Sequence, residues 1–349
     1  LKYVLIYLLL MAITCFLSLF VKKYNKYCDI FIIISIVLLW STYGVVWPHD
    51  EILNDRFNYV TWFKNVYPLY SNNLSLIFQQ NNEIGWFFYN VILTNIISNI
   101  NLLFYIYMLP PVFISIVYLY KQDYPFKILH LFFAISPICL YSTYLCRQMN
   151  AYFFVVLGLY FLQKKKNVLS LLFMICATLI HKTAIVGILI LVILWLLDSK
   201  KILTKKRVFT LSVLLVTLIP FMSYIMSSFL EVIGNNKWVI SSSTLSITTI
   251  KGLPYFIIFF IFLNYKSDYE IGLFSNGIQS FMIGYFYILT IYGYWIYRLA
   301  IYFLLGMMIV SAYLFIKMKN KYNRIIYLGS YGVIFIMLLR EIYLLGSYY

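Results

Sequence analysis

Arg147 and His181 stand out in a chain with few charges, because a guanidinium and an imidazole are the groups that hold an anion and move a proton. A guanidinium meets a phosphate or carboxylate through two parallel hydrogen bonds, which an ammonium cannot do. An imidazole, with an ordinary pKa of about 6.5, works as acid or base near neutrality. Arg147 opens an apolar run together with Gln148, and Asn150 falls about one turn further on the same helical face. His181 and Lys182 separate one apolar run from the next. A single histidine in a turn is more often a solvated or capping residue, so both roles stay open for it. His130, inside an apolar run, and His49, in a loop, have weaker claims.

The stretch from Asn54 to Trp62 places Asp55, Asn58, Tyr59 and Trp62 three and four residues apart, with Arg56 beside them. That spacing predicts an amphipathic helix lying on the membrane surface with its aromatics toward lipid. The same aromatic faces would also suit sugar rings, with Asp55 to bond hydroxyls. Cys15, Cys28, Cys139, Cys146 and Cys176 lie in or beside apolar runs without a CxxC pair or a histidine at ligand spacing. They are expected to pack as small apolar residues, and no metal site or cofactor is expected.

The elements that must hold these groups are membrane helices. Of 349 residues 63% are hydrophobic and 11% charged, and the mean hydropathy is +0.87. Such a chain is dissolved mostly in lipid. Runs such as 185–197 are apolar on every face, as helices inside a bilayer are and barrel strands are not. The expected fold is all-α: one polytopic transmembrane domain over 1–349, with an external loop and its amphipathic helix at 48–83. Spans are predicted at 3–21, 30–47, 102–120, 128–145, 151–162, 168–180, 184–197, 208–230, 253–263, 271–291, 296–316 and 325–345, about twelve in all. The first is read as a retained helix, since no small-residue cleavage site precedes Lys22-Lys23. Pro137 and Pro220 fall inside predicted helices and should kink them.

Basic residues report the sidedness of such a chain. The net charge is +16, from 27 Lys and Arg against 11 Asp and Glu, and most of the basic residues sit in alternate loops around Lys22, Lys121, Lys165, Lys205, Lys266 and Lys319. Those loops should be cytoplasmic, so the excess reflects membrane insertion and a nucleic-acid partner is not expected. The segment 84–98 would reverse every later loop if it spanned, and it is therefore read as a re-entrant or interfacial helix. The opposite, external side then carries Asp55, Arg56, Glu83, Arg147, Gln148, His181, Lys182, Arg298, Arg340 and Glu341. A central membrane arginine costs about 2.5–3.5 kcal/mol on the insertion scale, so charges retained near lipid usually face a cavity or a partner. Any one arginine also reads as an interfacial residue reaching for headgroups. Three on one side, Arg147, Arg298 and Arg340, favour an anion site.

Taken in order, these residues resemble the EpsG-like branch of the Wzy polysaccharide polymerases. The likeness rests on Asp55 to Tyr59 in the first large external loop, on Glu83-Ile84-Gly85-Trp86, on the Arg147-Gln148 pair opening a central helix, on His181-Lys182-Thr183-Ala184, and on Arg298 ahead of Tyr302. It covers the chain from about Asp55 to Tyr302. The resemblance implies a multi-pass protein of the bacterial cytoplasmic (inner) membrane. Its partners would be undecaprenyl-pyrophosphate-linked glycan donor and acceptor, the lipid bilayer and, as an accessory, a chain-length regulator. It implies transfer of a carrier-linked glycan to the non-reducing end of another repeat unit on the outer face. Under it, His181 or Asp55 activates the acceptor, Arg147 and Arg298 meet the pyrophosphate, and Gln148 with Tyr59 positions sugar. Glu83, Arg56, Asn150 and Arg340 join the substrate-binding set. A flippase or exporter of the same lipid-linked glycan is the main rival, but it should show two similar halves, and none stand out. A membrane O-acyltransferase should carry its histidine and arginine motifs early, where the run 3–21 has neither.

Overall fold

The computed structural model describes residues 1–23, 25–47, 54–73, 75–78, 83–122, 124–185, 187–189 and 301–347, with a few single positions between 192 and 261. The predicted spans at 208–230, 253–263 and 271–291, Pro220 and Arg298 lie outside these residues, apart from those single positions. Every element among the described residues is helical. The chain divides into two compact units: residues 1–189 with 311–313 and 335–349, and residues 190–310 with 314–334.

In the first unit α1 (Lys2–Ser18) and α2 (Lys26–Val46) form a hairpin. Asn25 caps α2 five residues before the apolar run, its side chain accepting from the Cys28 N–H at 2.9 Å. The short connection is closed by Asp29, which accepts from the Lys22 N–H at 2.8 Å and the Tyr120 hydroxyl at 3.0 Å. Lys22 Nζ reaches the Gln122 carbonyl at 2.7 Å. Then come α3 (Asn54–Asn65), the short α4 (Tyr67–Ser71) and α5 (Ser75–Phe78), α6 (Ile84–Ile96) and α7 (Ile100–Tyr120). They are followed by α8 (Phe126–Ile135), α9 (Ile138–Tyr144), α10 (Cys146–Gln163) and α11 (Asn167–Ile180). Helix α12 (Leu304–Lys317) follows a tight turn at Ile301–Phe303, and α13 is Lys321–Ser347.

Three helices among the described residues are long and apolar enough to cross a bilayer: α2, α7 and Lys321–Gly346 of α13. The predicted span at 128–145 is two helices, α8 and α9, bent by 45° at the Ser136-Pro137 break. Proline at 137 has no N–H to continue the ladder, so the chain turns there as anticipated. Helix α10 begins at Cys146, one residue before the Arg147-Gln148 pair expected to open it and five before the apolar span predicted at 151–162. Its partner α11 lies so close that a Cβ on Gly158 would meet Met174 at 2.9 Å and the Ser170 carbonyl at 3.3 Å. Glycine there lets the two helices touch along their backbones.

Lysines gather at one end of this unit. Lys121 Nζ lies 4.9 Å from the centre of the Tyr160 ring and Lys164 Nζ 6.0 Å, while Lys22 bonds to Gln122. The other end carries the close of α2, α9 and α11 and the start of α10. Helix α6 begins beside the end of α11 and leads through three residues to the start of α7, whose far end joins the lysines. It therefore starts and finishes toward the same end. Its 13 residues, at about 1.5 Å each, also fall short of the roughly 30 Å of a hydrocarbon core.

Helix α3 forms where the spacing placed it, but its face is turned the other way. Arg56, Tyr59, Val60 and Phe63 are buried in protein, and Asn58, Lys64 and Asn65 are exposed. Tyr59 packs on Trp86 and Tyr107, with ring centroids 5.6 and 6.1 Å away. The expectation of aromatics directed at lipid is corrected by α6 and α7, which offer an aromatic surface of their own.

In the second unit the buried residues 301–310 pack as a continuous apolar stretch, with every side chain from Ile301 to Val310 other than Gly306 at 3% exposure or less. Arg324 of α13 lies over the Phe315 ring, 4.6 Å from its centre.

Candidate functional site

Three separated segments of the first unit converge on the carboxylate of Glu83. Arg147, in the first turn of α10, donates from Nη1 to Glu83 Oε2 at 2.6 Å. His181, just past α11, is joined through Nδ1 to Oε1, and the Lys182 backbone N–H reaches the same oxygen at 3.3 Å. The side chains of Glu83, His181 and Arg147 are 7%, 15% and 25% exposed, so the acid sits behind the two groups it holds.

Local sequence explains how the segments meet. A Cβ on Gly85 would fall 2.9 Å from Leu179 Cβ and 3.0 Å from the Leu179 carbonyl carbon. Only glycine lets the start of α6 rest against the last turn of α11, and that contact brings His181 to Glu83. Glu83 itself has φ 36° and ψ 56°, the left-handed region that a side chain enters at a cost of about 1 kcal/mol or more. It makes no side-chain cap for α6, its carboxylate being turned to Arg147 and His181 instead.

Burial alone would raise the Glu83 carboxyl. The His181 hydrogen bond and charge, the Arg147 guanidinium and the Lys182 N–H outweigh it and hold the group down at about 2. Glu83 is thus an anion under all physiological conditions, shared by a cation and an imidazole. With Nδ1 engaged, Nε2 is the ring nitrogen left for chemistry.

Aromatic rings wall the arginine. The guanidinium carbon lies 5.8 Å from the Tyr59 ring centre and 5.5 Å from that of Trp62. Trp62 is half-buried against Tyr67 and Phe87. Asp55 is one turn before Tyr59 on α3, near enough for its charge to act on Arg147.

The remaining anticipated residues are placed as follows. Arg56 is fully buried and donates to the backbone carbonyls of Thr143 at 2.9 Å, Gly44 at 2.7 Å and Trp47 at 3.0 Å, with the Phe104 ring 3.6 Å beneath it. It ties α3 to the ends of α2 and α9. Asn150 donates to the carbonyls of Tyr107 at 3.0 Å and Cys146 at 2.8 Å and joins α10 to α7. Gln148 is buried beside Arg147. Arg340 is exposed on α13, and among the described residues no ion pair ties it to Glu83. The next residue, Glu341, accepts from the Tyr144 hydroxyl at 3.2 Å.

Sequence spacing missed that Glu83 is the hub, since its partners are 64 and 98 residues away. The available signal was the glycine two residues later, which marks a close backbone approach. Among the described residues no group of three His, Cys, Asp or Glu side chains gathers to hold a metal ion. His130 is occupied in the core: Trp40 Nε1 donates to its Nε2 at 3.4 Å, and Cys15 Sγ is 3.7 Å from Nδ1.

No curated protein and no solved structure matches the chain. The EpsG family profile matches residues 29–348, a stretch that includes Glu83, Arg147 and His181. By that match over most of its length, the chain belongs to the EpsG family of polysaccharide polymerase-like membrane proteins.

Proposed function

We propose that the protein is a Wzy-type membrane glycosyltransferase that polymerises undecaprenyl-pyrophosphate-linked repeat units at the outer face of the bacterial cytoplasmic membrane. The observation that carries the reading is the meeting of Arg147 and His181 on one carboxylate at the end of the unit away from Lys22, Lys121 and Lys164. In the reaction the acceptor hydroxyl oxygen bonds to the donor's anomeric carbon. The bond from that carbon to the diphosphate oxygen breaks, and its electron pair leaves with undecaprenyl pyrophosphate. Arg147 meets the growing charge on the leaving group, and His181 Nε2 takes the hydroxyl proton. Tyr59 and Trp62 offer ring faces for sugar. A diphosphate departs readily once its charge is met, so the proposed step runs on cations and a base.

Deletion of the gene tests the class of activity. Loss of a polymerase leaves carrier bearing one repeat unit on the outer side of the membrane, whereas loss of a flippase leaves none there. Arg147→Lys and Arg147→Ala, matched for membrane level, should each lower long-chain polymer by about 100-fold or more, the order found when a charge-stabilising donor is removed. Unchanged polymer in both variants would remove Arg147 from the mechanism.

A further inference from the structure

We propose that Glu83 is a positioning residue that links capture of the donor's diphosphate to activation of the acceptor, by dividing its two oxygens between Arg147 and His181. The inference rests on the function proposed above. Oε2 holds Arg147 at 2.6 Å, and Oε1 holds His181 Nδ1 and the Lys182 N–H. One carboxylate therefore engages both groups that the reaction needs for opposite tasks.

Exposure decides which of the three meets substrate. The Glu83 side chain is 7% exposed, against 15% for His181 and 25% for Arg147, so an arriving ligand touches the arginine and the imidazole first. The left-handed backbone at Glu83 points the same way, because a non-glycine residue is held there only when its surroundings insist. Glu83 acts through its partners.

An arriving diphosphate competes with Glu83 for Arg147. It carries more charge than a carboxylate, and it can take two guanidinium nitrogens at once. When Nη1 turns to the ligand, the charge of Glu83 is left to His181. It then stabilises the imidazolium that forms as Nε2 accepts the acceptor's proton, while the new glycosidic bond forms and the diphosphate departs with its electron pair. Proton removal thus gains the undivided support of Glu83 only when the donor is in place.

The test uses carrier-linked repeat units extracted from the deletion strain and membranes bearing the full-length protein. In Glu83→Gln, kcat should fall about 100-fold or more while KM for the carrier falls severalfold, since Arg147 is released from its internal partner. A loss that was only structural would lower the active fraction and leave KM unchanged. In parallel, the purified full-length protein is titrated with inorganic pyrophosphate by calorimetry, where E83Q should bind about three to ten times more tightly than wild type. A kcat within about threefold of wild type, an unchanged or raised KM, or pyrophosphate binding equal to or weaker than wild type overturns the proposal. If E83Q does not reach the membrane, Glu83→Asp decides, since it keeps the charge on a side chain one methylene shorter. A kcat below about a third of wild type supports the coupling, and a higher one sinks it. If wild-type membranes extend no carrier at all, the functional reading fails, and the pyrophosphate titration still judges the link between Glu83 and Arg147.

Discussion

At the scale of single residues, the charge on Glu83 is set by its neighbours. Burial opposes ionisation, yet His181, Arg147 and the Lys182 N–H together hold the carboxyl at about 2, below its ordinary value near 4.5. A group whose pKa is depressed on folding stabilises the folded state above its unfolded value. That contribution is lost as pH falls through the folded value, because the unfolded chain binds the proton first. Stability of the detergent-purified protein should therefore drop between about pH 4.5 and pH 2, with Glu83 supplying on the order of 2 kcal/mol of the loss. Thermal melts at pH 7 and pH 3 check this: E83Q should melt lower than wild type at pH 7, and the gap should narrow at pH 3, part-way through the loss. An E83Q difference that stays the same at both values would show that the interactions counted here do not depend on the ionised acid.

At the scale of elements, the site depends on how closely α6 approaches α11, and Gly85 sets that distance. Gly85→Ala brings a methyl group to about 3 Å from both the side chain and the backbone of Leu179. Overpacking of this kind costs about 1–3 kcal/mol. The helices must separate, and Glu83 withdraws from His181. Polymer formation should fall at least tenfold at near-normal membrane level. Leu179→Ala in the same chain should not restore it, since the Leu179 Cβ at 2.9 Å and the carbonyl carbon and oxygen at 3.0 and 3.1 Å all remain. Recovery in the double variant, where every clashing atom is still present, would detach the glycine from the geometry of the site. Much of this scale was legible beforehand: α2, α7 and α11 lie within a few residues of their predicted runs, and the Pro137 bend fell where proline forbids a helix. The facing of α3 was not. Periodicity identifies the apolar side of a helix but not what covers it, and here α6 and α7 provide Trp86 and Tyr107 in place of lipid. Arg56 escaped for the same reason, since only the folded chain brings the Gly44, Trp47 and Thr143 carbonyls around one guanidinium.

At the scale of the whole molecule, the arrangement of the first unit reduces to two ends with opposite chemistry. Lys22, Lys121 and Lys164 share one end, while Glu83, Arg147 and His181 share the other. Basic loops stay on the cytoplasmic side during insertion, so on the function proposed above this polarity should direct the site outward, where an exported carrier-linked glycan would be met. The ends are addressable by chemistry. In a background with Cys15, Cys28, Cys139, Cys146 and Cys176 replaced, single cysteines are introduced as Asn58→Cys on the exposed face of α3 and Lys165→Cys in the exposed turn after α10. A maleimide that does not cross the cytoplasmic membrane should label N58C in intact cells, and K165C at least about tenfold more after the membrane is opened than before. Labelling of K165C from outside would turn the Arg147 end toward the cytoplasm. The donor would then have to be polymerised before export, and Glu83 would be coupling diphosphate capture to transfer on the wrong face of the bilayer.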